Sequence, residues 1–191
     1  MATTQPLGRI LLKNVRLAFP NLFEPTTVAG EGKPRFSATL LIPADHPQIE
    51  EIKAAQLAID TAKWNAKAAA IVKGLDKQDK LALHDGDTKS KYDGFPGNFF
   101  ISAAAQENAA PTVIDRDRSP LSARSGRPYA GCFVNASIEL WAQDNSYGQR
   151  VNAQLRGIQF YQDGDSFSAG RPADADEFEE VTEGAGADDF A

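Results

Sequence analysis

Three stretches of the chain alternate apolar and polar residues with period two, the mark of strands with one buried face. In "RFSATLLIP" (35–43), Phe36, Ala38, Leu40 and Ile42 oppose Arg35, Ser37, Thr39 and Leu41, and Pro43 closes the run. In "GCFVNASIELWAQ" (131–143), Val134, Ala136, Ile138 and Leu140 share one side, and Phe133, Asn135, Ser137, Glu139 and Trp141 the other. In "RVNAQLRGIQFYQ" (150–162), Val151, Ala153 and Leu155 turn inward while Arg150, Asn152, Gln154 and Arg156 turn out. The short "DNSYG" between the last two predicts a hairpin, which makes them neighbours.

Weaker strand signals fill in the rest. "GRILLKNVRLAF" (8–19), rich in Ile, Leu and Val and closed by Pro20, predicts a strand. The following "PNLFEPTTVAGEGKP", with three prolines and two glycines, predicts a loop. "NFFISAAA" (98–105), "PTVID" (111–115) and "SFSAG" (166–170) predict short strands. One segment has another period. From Pro47 to Lys73, Ala, Lys, Glu and Gln dominate and Ile49, Ile52, Ala55 and Ile59 recur at helical spacing. Asp45 is placed to cap this helix, Gly74 to stop it, and Trp64 to anchor it on the sheet. About six strands against one long helix predict a mainly β fold, a small antiparallel barrel or sheet with an inserted helix.

Charge changes this picture at one end. The last eighteen residues, "DADEFEEVTEGAGADDFA" (174–191), hold eight of the 26 acidic residues and no Lys or Arg. Residues 1–173 therefore carry eighteen acids against twenty basic side chains, a formal charge of about +2, whereas the whole chain has −6. The expected organisation is one folded domain over 1–171 and a disordered acidic tail over 172–191. The tail is either a solvating strip or a competitor for a polyanion bound by the body, with Asp188, Asp189 and Phe190 as an acidic and aromatic hook for a partner. No membrane-length apolar run and no signal-peptide pattern is read, and a lone Cys132 fits a reducing compartment, so a cytoplasmic location is expected.

Catalytic chemistry is sparse. Two histidines, His46 and His84, and one cysteine give no zinc spacing. "DGDTKSKYDG" fails as a calcium loop, because counting from Asp85 puts Ser90 and Pro96 where a glycine and a carboxylate are needed. No phosphate-binding glycine loop or nucleophile motif occurs, so neither a cofactor nor a metal is expected. Binding chemistry is better represented. The outward faces of 131–143 and 150–162 combine rings, amides and arginines, which suits either a ligand surface or rings that cover an end of the core. The connection 115–129 carries Arg116, Arg118, Arg124 and Arg127, read either as a mobile basic arm over phosphates or as a surface loop of Arg–Asp pairs.

The ordered set Leu83, "DGD" (85–87), "KYDGFPGNFFISA" (91–103), "PTVID" (111–115), "YAGCFVNASIELWA" (129–142) and "LRGIQFYQDGD" (155–165), followed by an acidic terminus, resembles a family of bacteriophage single-stranded DNA-binding proteins long carried as a domain of unknown function. The resemblance runs from about Gly8 to Gly170. It implies an OB-fold-like barrel elaborated by a helix, and a non-enzymatic role in phage replication or recombination within the host cytoplasm. Single-stranded DNA and, through the tail, replication or recombination proteins are the implied partners; a homodimer is left open. Sequence-blind binding needs rings for bases and cations for the backbone. Tyr92, Phe95, Phe133 and Trp141 are the candidate rings, each with core burial as its alternative, and Arg35, Arg116, Arg118, Arg124, Arg127, Arg150 and Arg156 the candidate cations. Two other classes remain to be weighed: an assembly module whose tail mimics DNA, and a hydrolase using Asp85 and Asp87 with a metal.

Overall fold

The computed structural model describes residues 6–28 and 30–167. The chain runs β1 (Arg9–Val28), β2 (Glu31–Pro43), α1 (Ile49–Trp64), α2 (Ala68–Lys77), β3 (His84–Asp85), β4 (Asn98–Gln106), β5 (Thr112–Ile114), β6 (Phe133–Asn145) and β7 (Gly148–Gln162). The sheet order is β3-β4-β2-β1-β6-β7-β5, and an added β4–β7 pairing closes β4, β2, β1, β6 and β7 into a five-stranded barrel. Closure rests on two parallel pairs, Ala103↔Ala153 and Ala104↔Gln154, so the barrel is not purely antiparallel as its hairpins suggested. β5 also joins β7 in parallel, at Gly157–Gln159. The expected alternation holds: Phe36, Ala38, Leu40, Ile42, Val134, Ala136, Ile138, Leu140, Val151, Ala153 and Leu155 are all in the core.

The predicted loop 20–34 is instead a long β-hairpin, in which Val28 pairs with Glu31. Its prolines are tolerated because of where β1 is paired. β6 covers β1 only from Arg9 to Arg16, with Leu17 bonded to Cys132, so Pro20 and Pro25 fall where one edge of β1 is free and the ladder with β2 slips register. A residue without N–H belongs at such an edge and keeps foreign strands off it.

The helix also departs from the periodicity. Asn65, at φ 49° and ψ −127°, breaks it, a single 3-10 turn spans Asn65–Lys67, and α2 then runs through Gly74 to Lys77. Asp45 is not the cap; Gln48 occupies the N-cap position and uses its side chain on β1 instead. Its amide donates to the Leu11 carbonyl at 2.9 Å and accepts from the Lys13 N–H at 2.8 Å, bracketing a kink where Asn14 has φ 52°.

Trp64 is the anchor expected of it, 7% exposed, with its indole N–H donating to Asp144 Oδ2 at 2.8 Å. That bond ties α1 to the β6–β7 hairpin. Trp64→Phe keeps an aromatic there and removes a donor to a charged acceptor; the expected loss is about 1–2 kcal/mol, read as a lower denaturation midpoint. An unchanged midpoint would show that the bond is replaced by water.

A second, smaller core lies outside the barrel wall. Leu41, which the alternation assigns to the outer face, is 1% exposed and packs with Ala18, Phe95, Phe100 and Phe167. A strap from Asp163 to Phe167 closes over it. Arg16 donates to the carbonyls of Gly131 (3.0 Å) and Asp165 (2.8 Å), and the Phe167 N–H donates to the Ala130 carbonyl at 3.0 Å. Here a glycine is obligatory: Gly131 has φ 106°, and a Cβ on it would stand 2.0 Å from the Asp165 carbonyl oxygen. Residues 166–167 are not a strand, and the rest of the predicted 166–170 strand, the 171/172 domain boundary and the acidic tail with Asp188, Asp189 and Phe190 lie outside the described residues.

Candidate nucleic-acid interface

Pairing registers line up one lateral row of residues across the outside of the barrel. Trp141 on β6 stands opposite Asn152 on β7; Asn152 neighbours Ser102 on β4 through the closing pair; Ser102 opposes Thr39 on β2; and Thr39 opposes Ala18 on β1. Five strands at ~4.8 Å spacing give this row a contour of roughly 20 Å, and because these five strands are the closed barrel it winds around the curved wall. Its middle is small and polar, with Thr39 Oγ1 and Ser102 Oγ 3.4 Å apart. Its two ends are aromatic. Trp141 is 44% exposed at one end.

At the other end stands Phe19, 51% exposed and held at φ 46° in the bulge before Pro20. A bulky residue at positive φ is strained, and this one directs its ring into solvent rather than into a core. Tyr92, 38% exposed, meets it edge-to-face at 5.2 Å and 85°. Phe95 lies beneath both rings, 6.0 Å from Phe19 and 5.8 Å from Tyr92, and is 1% exposed. Burial corrects its assignment as a stacking ring: it supports the two that are exposed. The three rings, with Ala18, Lys91, Asp93, Ala130 and Phe167, line a cavity of about 350 Å³.

Cations surround this aromatic end. Lys91 Nζ is 5.0 Å from the centre of the Tyr92 ring, and Lys89 Nζ 4.8 Å from that of Phe100. The Arg16 guanidinium carbon is 4.3 Å from the ring centre of Phe167 and 5.7 Å from that of Phe133, so Phe133 sits half-buried against a guanidinium. His84 lies between this cluster and the polar row. Its ring stacks on Phe100 at 4.9 Å, and its Nδ1 is 2.6 Å from Asp79 Oδ1. His84, Lys80 and Arg150 join Ser102 and Asn152 around a smaller cavity of about 160 Å³.

The arginines divide by what they already hold. Arg156 is committed to Glu139, with its Nη2 2.8 Å and its Nε 3.0 Å from Oε2, and Arg9 takes the same oxygen at 3.1 Å. Arg127 pairs with Asp115 at 2.6 Å and lies 4.9 Å from the centre of the Phe160 ring. Neither is a free phosphate ligand. Arg35, exposed opposite Gln106, and Arg150, exposed opposite Gln143, make no ion pair among the described residues, and the same holds for Arg116, Arg118 and Arg124.

The 115–129 connection is not an open arm. Asp115 N–H donates to the Ser119 carbonyl at 2.8 Å, Asp117 accepts from Ser119, and Ser122 and Ser125 cap a short 3-10 turn reciprocally. The Ser119 bonds hold the Asp117 carboxyl below its ordinary range. With β5 on the same edge of β7 as β4, the connection continues the line of the barrel's closure. Asp85 and Asp87 build a turn: Asp85 Oδ1 accepts from the Asp87 N–H at 2.9 Å and Asp87 Oδ1 from the Gly97 N–H at 2.8 Å. Both carboxylates are used by backbone donors, which gives them a role without a metal.

Four functional candidates were not singled out from sequence: Phe19, Arg16, Lys89 and Lys91. The signal for the lysines was legible, since "KSKYDGF" interleaves cations and rings. Phe19 and Arg16 read as ordinary strand residues until the bulge and the strap are known.

A family model described as the single-stranded DNA-binding protein of Enterobacter phage Enc34 matches residues 8–191. A protein designated p50 of Acyrthosiphon pisum secondary endosymbiont phage 1 is 45% identical over 177 residues, 91% of this chain and 94% of that one. The solved Enc34 protein in complex with single-stranded DNA is similar with TM-score 0.70 and 29% identity, over 85% of this chain and 91% of that one. The single-stranded DNA-binding protein gp2.5 of bacteriophage T7 shares the fold, with TM-score 0.54 and 12% identity over 87% and 98% of the two chains.

Proposed function

Because the chain belongs to the family of phage single-stranded DNA-binding proteins represented by that of Enterobacter phage Enc34, we propose that it binds single-stranded DNA across the Trp141–Asn152–Ser102–Thr39–Ala18 row, without sequence specificity and without catalysis. The observation that carries this reading is the half-exposed pair Phe19 and Tyr92 with Lys91 against the Tyr92 ring, and with Lys89 and Arg16 on the neighbouring rings Phe100 and Phe167. Rings offer every base a stacking face, cations follow the phosphates, and a small polar floor lets a strand pass close to the sheet. Outer strands of a five-stranded barrel, flanked by two hairpins, are where OB-type folds receive oligonucleotides. Here the β1–β2 hairpin carries Arg35 opposite Thr26, and the β6–β7 hairpin carries Tyr147, 92% exposed.

The acidic tail completes the proposal. Its eight carboxylates are a polyanion tethered to a mildly basic body, so the tail competes with DNA for Lys89, Lys91, Arg35 and Arg150. Once displaced, Asp188, Asp189 and Phe190 become available to replication or recombination proteins in the host cytoplasm. A strand coating of this kind has no need of a cofactor.

Anisotropy of dye-labelled oligo(dT), titrated over salt for the full chain and for a chain ending at residue 173, tests the reading. Affinity is expected to fall linearly on a log–log salt plot, because phosphate neutralisation releases counterions. The truncated chain is expected to bind more tightly at low salt, with the advantage shrinking as salt rises. Salt-insensitive or absent binding in both would leave the assembly-module reading in its place.

A further inference from the structure

The cavity beside Phe19 is more selective than a stacking platform needs to be. Its floor is apolar, from Ala18, Phe95 and Phe167, and its two exposed rings stand nearly perpendicular. A flat group stacked on one ring would therefore turn its edge to the face of the other. The volume, about 350 Å³, lies at the low end of small-molecule pockets and has room for one nucleoside rather than a stack. At the rim stands Asp93, exposed and with no hydrogen bond or ion pair among the described residues. An unpaired carboxylate beside Lys91 repels phosphate, so it weakens a site that only tracks the backbone. A carboxylate does, however, accept a hydrogen bond from the exocyclic amine of cytosine or adenine, which thymine lacks.

We propose that this cavity holds a single splayed-out nucleobase of the bound strand, stacked on Phe19 or Tyr92, and that Asp93 selects bases bearing an exocyclic amine. The inference rests on the DNA-binding reading above and adds a base preference to it. The strand's sugar and phosphate stay outside, where Lys91 meets them. Strain at Phe19 then has a purpose, since φ 46° is what turns its ring toward the cavity.

The test uses the full-length protein with oligo(dC) and oligo(dT) of equal length, measured by anisotropy for the wild type, Asp93→Ala, Asp93→Asn and Tyr92→Ala. Differences in the intrinsic stacking of the two strands cancel when the dC/dT affinity ratio is compared between proteins. Asp93→Ala is expected to lower that ratio by about 3- to 10-fold, the worth of one charged hydrogen bond at an exposed rim. Asp93→Asn, whose amide oxygen still accepts, should fall between, and when Phe19 and Tyr92 are both alanine, adding Asp93→Ala should no longer change the ratio because no base is held. An identical ratio in wild type and Asp93→Ala overturns the proposal. So does a Tyr92→Ala protein that binds both strands normally but no longer gains from removal of residues 174–191, since the cavity would then hold the chain's own terminus. Failure of the wild type to bind either strand overturns the function itself, and shows before any variant is made.

Discussion

Replacing both Phe19 and Tyr92 by alanine is expected to weaken oligo(dT) binding by about 10- to 100-fold while the salt slope stays unchanged. Stacking of a base on an aromatic side chain contributes about 1–3 kcal/mol, or roughly 5- to 150-fold for one ring. The two rings form one edge-to-face pair, so their losses should not add in full. Neither substitution removes a cation, which is why the slope of log affinity against log salt should persist. Folding should survive, because both rings are at least a third exposed and the barrel core lies on the other side of the wall. The cost in stability is the edge-to-face contact and the cover over Phe95, about 1–2 kcal/mol. Arg156→Ala is the matched control. Its guanidinium is held by Glu139, so it should alter stability and leave DNA affinity within a factor of about two. If the ring pair can be removed at no cost in affinity, the row does not receive DNA at its Phe19 end.

The sequence was most legible where one physical pattern governed. Alternation at 35–43, 131–143 and 150–162 has one physical cause, a buried face and an open face, and the structure follows it except in β2, where Leu41 and Thr39 of the open face are themselves covered. Trp64 was readable for a related reason: a large amphipathic side chain in an Ala-rich helix needs a partner for its N–H, and Asp144 supplies it. Where two patterns competed, the local one lost. Three prolines read as a loop, yet at an unpaired edge a missing N–H costs nothing, so residues 20–34 extend a hairpin. Gly74 read as a stop, but α2 continues through it to Lys77.

The candidate site was legible in type more than in position. Rings and arginines were expected; Trp141 lies on the row, Tyr92 at its Phe19 end and Arg150 two positions from Asn152, whereas Arg35 stands four positions along β2 from Thr39. Phe95 and Phe133 differ from Tyr92 only in what packs over them, and that depends on the strap at 163–167, about 70 and 30 residues further along the chain. Arg127 and Arg156 differ from Arg35 in having a carboxylate within reach, Asp115 twelve positions away and Glu139 on the neighbouring strand. Neither difference is local, so spacing and composition could not report it. What pairing removes from the list of free cations is partly restored by Lys89 and Lys91, while Arg16 keeps its charge unpaired but holds the strap. A body with a formal charge near +2 can thus present a local cationic end without a strong overall field.

Asp60 should make the folded protein less stable at neutral pH than at pH 4, and Asp60→Asn should remove that loss. The residue is fully buried on α1, and the Gln56 side chain is the one polar group that approaches its carboxylate among the described residues, without a well-formed hydrogen bond. Burial pushes its pKa from 3.8 to about 6, and the Gln56 side chain a turn earlier offsets this only in part. The sign follows from which state ionises first. Well below 3.8 the carboxyl is protonated in folded and unfolded chains alike and carries no penalty. Between about 4 and 6 only the unfolded chain ionises, so stability falls as pH rises; above 6 both are charged and the penalty is complete. Its ceiling is about 3 kcal/mol, at 1.36 kcal/mol for each pKa unit. Asparagine keeps the shape and still leaves an amide without a partner, so a gain of about 1–2 kcal/mol at pH 7 is expected from Asp60→Asn. Asp117 and Asp144 have lowered pKa values, from bonds to Ser119 and to Gln149 and Trp64 respectively, and contribute in the opposite sense and only as pH falls through the acid range below 4. The two windows are separable in one experiment, melting temperature against pH from 3 to 8 for wild type and variant. Curves that stay parallel between pH 4 and 6 would mean that burial does not raise the Asp60 pKa in the folded chain.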